Sequence, residues 1–141
     1  MIKIGLTETL TFISGYALGS VTGFVTGSSI IVISDMALIA GVWTPFIALI
    51  IGTIGAIGGI VRRFVREPTF ELLGISAVLL TLMSESLQNV WVAIFYNLPL
   101  YATMFAGLPT LIAALANNVV LFTAVAGRII KVIKDSSVSS E

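Results

Sequence analysis

Glu85, Gln88 and Asn89 stand three and four residues apart in an otherwise apolar stretch, so a helix would carry them on one face, with Thr81 one turn further in. An ionisable side chain in so apolar a setting is costly, and by default it marks a site. Asn117 and Asn118 form a second polar point, with Thr110 seven residues before Asn117 on the same face. A buried amide must find partners; it either ties two helices together or reads a ligand. Asp35, Trp43, Trp91, Tyr96 and Asn97 complete the set of polar and aromatic residues. The expectation is that Glu85, Gln88, Asn89 and Asn118 (or Asn117) line one ligand cavity, with Asp35 and Trp43 near its mouth. The plainer reading of the aromatics is an interfacial belt.

No catalytic set emerges. The chain has neither histidine nor cysteine, which removes the commonest general base, the commonest metal ligand and every thiolate site. Ser84 beside Glu85 lacks a base of suitable geometry, and no glycine loop precedes a lysine as nucleotide binding would need. No cofactor is expected, and the chain reads as a non-enzyme. A net charge of zero with no basic stripe gives nucleic acid no electrostatic footing.

The elements that must position these residues are membrane spans. Only 10% of the chain is charged and 57% is hydrophobic, against about a quarter charged in soluble domains. Between Thr9 and Val61 the sole charge is Asp35, and between Leu72 and Gly127 it is Glu85. Each block has room for two spans of roughly 20 residues. Span one reads as about 10–33, span two 43–61, span three 70–89 and span four 105–130, with 90–104 as a bent, partly helical connector. The fold class is therefore an all-α transmembrane bundle of four spans, one domain over 1–134, with 135–141 a polar, frayed cytoplasmic tail. Lys3 followed by Glu8 does not read as a cleavable leader. Positive charge gathers on the cytoplasmic side. Four spans put Lys3, Arg62, Arg63, Arg66, Arg128, Lys131 and Lys134 all on that side, with both termini. Gly15, Gly19, Gly23 and Gly27 recur every four residues in span one. Small residues at this spacing let helices approach closely in lipid, either within the chain or against a partner.

Three segments carry a family resemblance. Gly41-Val42-Trp43-Thr44-Pro45-Phe46, after Ser34-Asp35, resembles the G-P-W-T-P-F/W segment of the S components of energy-coupling factor transporters. Ser84-Glu85-Ser86-Leu87-Gln88-Asn89 is similar to their Tyr-Asp-x-x-Thr-Asn pattern, with Glu85 in place of the Asp. Ala106-Gly107-Leu108-Pro109 followed by Asn117-Asn118-Val119-Val120-Leu121-Phe122 looks like their final helix. Family members usually have six spans, and the four read here correspond to the C-terminal part. Ile47 stands where a polar residue often follows the Trp-Thr-Pro-Phe run. The resemblance implies a substrate-binding subunit in a prokaryotic plasma membrane. It would capture a vitamin or similar micronutrient from outside and associate with a transmembrane coupling protein and cytoplasmic ATPases. The competing expectation is a small structural or accessory membrane protein that assembles through the glycine face.

Overall fold

The computed structural model describes residues 6–38 and 40–138. Among the described residues all regular structure is helical: α1 (Leu6–Leu18), α2 (Ser20–Ala37), α3 (Thr44–Phe64), α4 (Phe70–Phe95), α5 (Leu100–Leu121), a π-helical turn (Phe122–Ala126) and α6 (Gly127–Val138). Four helices are long and apolar enough to cross a membrane: α2, α3, α4 and the continuous helix over Leu100–Ile133. The protein is thus an all-α, multi-pass membrane bundle of four spans. Leu79, Phe105, Ile112 and Val120 face outward from it, as side chains in contact with lipid would.

The first span differs from its expectation. The stretch 10–33 is not one helix, because the chain reverses at Gly19. There φ is +108° and ψ 163°, a backbone region open essentially to glycine alone. The amide of Gly19 still bonds the Gly15 carbonyl, and the amide of Gly23 bonds the Gly19 carbonyl, so the turn takes a single residue. Across it α1 and α2 run antiparallel: a Cβ at Gly23 would strike Gly15, and one at Gly27 would strike Thr11. The glycines expected as one straight stripe therefore face each other. Both Gly15 and Gly23 rest on the Gly55 carbonyl of α3, Gly27 on Ile51, and Gly58 of α3 on Phe12. With no side chain between them, three backbones come into contact, and dispersion takes the place of the hydrophobic drive that lipid cannot supply.

Helix α1 runs parallel to α3. The Tyr16 hydroxyl donates to the Val65 carbonyl at 2.6 Å, and Arg62 donates to the carbonyls of Tyr16 and Ala17. Thirteen residues make a helix about 20 Å long, short of the roughly 30 Å bilayer core. Its first turn is level with the middle of α4 and the last turn of α5. Phe12 stacks on Tyr16 and tilts against Phe122 with ring centres 5.2 Å apart. These rings, with Ile54, Leu73 and Ala77, form the apolar core where α1, α3, α4 and the last helix meet.

The bundle has two unlike ends. At the basic end lie the Gly19 turn, Arg62 and Arg63 in the last turn of α3, Arg66 between α3 and α4, and Arg128 and Lys131 on α6. Lys3, expected on the same side, lies outside the described residues, as do 139–141. At the aromatic end are the α2–α3 and α4–α5 connections. The second is much shorter than the connector expected over 90–104. Helix α4 persists to Phe95, with Thr69 capping its start by accepting from the Leu72 amide at 3.2 Å. Asn97 at φ 53° then turns the chain, and Pro99 caps α5. Residues 135–138, expected as frayed tail, are helical.

Candidate binding site

Two cavities open side by side at the aromatic end and share Val92 as a wall. One, of about 250 Å³, is lined by Trp43, Phe46, Ile47, Gln88, Trp91, Val92 and Tyr96. The other, of about 480 Å³, lies between α4 and α5 against Asn89, Val92, Leu98, Thr103, Gly107 and Thr110. Apolar walls with a few placed amides and hydroxyls are the usual make-up of a small-molecule site.

Local structure holds the walls in place. In the α2–α3 connection, the Thr44 hydroxyl donates to Asp35 Oδ2 at 2.5 Å and accepts from the Gly41 amide at 3.1 Å. This tie fixes the chain on either side of Trp43. Gly41 lies beneath the Trp43 indole, where a Cβ would meet the ring at 2.5 Å. Trp91 stacks on Phe46 at 5.8 Å and on Phe95 at 4.8 Å, and Tyr96 meets Phe95 edge-on. Gln88 donates to the Ser84 carbonyl at 3.3 Å. The Asn89 amide lies over Gly107, so any side chain at 107 would collide with it; that glycine makes the room in which Asn89 stands.

The residues expected in one cavity are divided. Gln88 and Asn89 fall on either side of Val92, because adjacent helical residues point about 100° apart. Trp43 lines the smaller cavity, whereas Asp35 serves the connector. Glu85 and Asn117 are half-buried and line neither cavity. Asn118 is 1% exposed and turns inward instead. Its amide nitrogen donates to Glu8 Oε2 and to Thr81 Oγ1, the latter at 2.8 Å. The Ser84 hydroxyl donates to Glu8 Oε1 at 2.8 Å.

Glu8 is the residue that sequence reasoning missed. It reads as a charge flanking span one, yet the reversal at Gly19 carries it, half-buried, against Ser84 of α4 and Asn118 of α5. Asn118 Oδ1 and Thr11 Oγ1, both buried, have no hydrogen-bond partner among the described residues. No group of three or more His, Cys, Asp and Glu side chains that could hold a metal ion occurs among them either.

No protein-family model, curated protein or solved structure matches the chain.

Proposed function

We propose that this chain is the substrate-binding membrane subunit of an energy-coupling factor type importer, capturing a vitamin or similar micronutrient. One observation carries the reading. Each of the three segments that resemble S components contributes side chains or backbone to the walls of the two cavities. Trp43 and Phe46 come from the first, Gln88 and Asn89 from the second, and Ala106 and Gly107 from the third. A ligand with a flat ring would stack on the indoles of the smaller cavity beside Gln88, with a polar group reaching past Val92 to Asn89 in the larger. By the positive-inside rule the basic end is cytoplasmic and the cavities open outward. Docking to a transmembrane coupling protein and its ATPases would then use the basic half. The lipid setting is the plasma membrane of a prokaryotic cell, and the role is binding rather than catalysis.

The packing of the glycines favours this reading over the alternative, an accessory protein assembling through them. Gly15, Gly23 and Gly27 are buried against α3 and α1 inside the chain. The test is mass spectrometry of small molecules that co-purify with the detergent-solubilised protein. A micronutrient retained by the native chain and lost from Asn89→Ala is the expected result. An empty native protein that also fails to bind any of a panel of vitamins would remove the reading.

A further inference from the structure

The polar cluster around Glu8 lies apart from both cavities, and the proposed function does not use it. We propose that Glu8, half-buried where α1 meets α4 and α5, is a reversible proton-binding site with Ser84 as its switchable partner. In the ionised state the carboxylate accepts from Ser84 Oγ on Oε1 and from Asn118 Nδ2 on Oε2. The Ser84 hydroxyl has a second acceptor in reach, the Thr81 carbonyl at 3.2 Å. A hydroxyl has one hydrogen to donate and two lone pairs with which to accept. When a proton from water binds Oε1, Ser84 turns its hydrogen to the Thr81 carbonyl and accepts the acid hydrogen. One O–H bond forms on the carboxyl, one breaks in the hydronium donor, and no heavy atom moves. Asn118 donates to Oε2 in both states, since a neutral acid keeps acceptor capacity.

Asn118 Oδ1 is buried and has no hydrogen-bond partner among the described residues. Donors, not oxygens alone, face the carboxylate: an amide nitrogen points at Oε2 and a hydroxyl at Oε1. That is a setting for a proton rather than a metal ion, which needs a shell of lone pairs. The charged groups on the surrounding helices are Glu71 and Glu85 on α4, Asp35 on α2, Arg62 and Arg63 on α3, and Arg128, Lys131, Lys134 and Asp135 on α6; α5 carries none. Arg62 is bonded to the other end of α1, and Glu85 adjoins Ser84 in the chain. Because Gln88 binds the Ser84 carbonyl and lines the smaller cavity, α4 links the proton site to that cavity within one helical turn.

The experiment is infrared difference spectroscopy of the full chain in lipid nanodiscs, titrated between about pH 4 and about pH 10, a range that brackets ordinary and buried carboxyls. The native protein should show a carboxylic C=O band that comes and goes reversibly. Glu8→Gln, which mimics the protonated acid, should lose that band while keeping its helical circular dichroism. Ser84→Ala, which removes the hydroxyl that accepts the acid hydrogen, should move the band to higher frequency. Identical spectra for the native chain and Glu8→Gln would overturn the proposal. If Glu8→Gln does not fold, Ser84→Ala decides alone, and an unmoved band there is equally fatal.

Discussion

Gly15 and Gly23 lie against each other across the Gly19 turn, and both rest on the carbonyl of Gly55. This contact joins three helices without a side chain between them. Its tolerance to substitution follows from two separate causes. At Gly19 a Cβ would have open space around it, so Gly19→Ala is opposed by the backbone conformation alone, by about 1–3 kcal/mol. Gly55→Ala meets backbone atoms of α2, which cannot swing aside as a side chain would. Thermal unfolding in detergent should rank Gly55→Ala as more damaging than Gly19→Ala, and both as worse than Gly74→Ala, where the nearest atom is 3.9 Å away.

The turn also makes a prediction about depth. In one straight span over 10–33, Leu18 would sit within the hydrocarbon. In the hairpin it lies at the basic end, 65% exposed. Cysteines at Leu18 and Arg63 should therefore react with a membrane-impermeant thiol reagent from the same face, with Asn97→Cys reacting from the opposite one. A Leu18→Cys that resists the reagent from both faces would return the chain to a single span.

Asn118 and Glu8 should be energetically coupled. Asn118→Leu leaves Glu8 Oε2 without that donor, and a buried polar group so deprived costs about 1–3 kcal/mol. In a double-mutant cycle with Glu8→Gln, the coupling should be about 0.5–3 kcal/mol, as for residues in direct contact. Strictly additive losses, measured by equilibrium unfolding, would mean the two side chains do not share a bond.

At the aromatic end, substitution should separate binding from folding. Asn89→Ala should weaken ligand binding by about tenfold, the loss of one buried hydrogen bond. Gly107→Ala should act at the same place by another route, displacing the Asn89 amide. Equilibrium binding of the co-purified ligand checks both, and helical circular dichroism should stay near that of the native chain.

Much of this was legible in the sequence, and the misses have physical causes. The spans showed because lipid forbids charges over long stretches, and Asp35 and Glu85 were the sole interruptions of two such blocks. The hairpin stayed hidden because Gly19 continues a four-residue glycine period that also suits a straight helix. Only its positive φ tells the two apart, and composition does not record φ. The partner of that stripe could have been seen: Gly52, Gly55, Gly58 and Gly59 of α3 lie at helical spacing. Glu8 was lost with the hairpin, since its place depends on which way α1 runs. Asn118 was recognised as a buried amide, but its partner lies 110 residues away.

The π-helical turn at Phe122–Ala126 sets the phase of the last helix. Its buried residues Asn118, Phe122, Ala126 and Ile130 fall at every fourth position. In an unbroken α-helix each such step overshoots a full turn by about 40°, so three steps would carry Ile130 about 120° away from the line of Asn118. The wider i→i+5 turn takes that drift back. The turn works like a vernier, keeping the Asn118 and Ile130 faces aligned over a helix too long to stay in register by itself. Deleting Ala124, a residue on its exposed side, should convert the π turn to α-helix and leave Ile130 against the core, because the remaining steps from Asn118 then come within about 20° of three full turns.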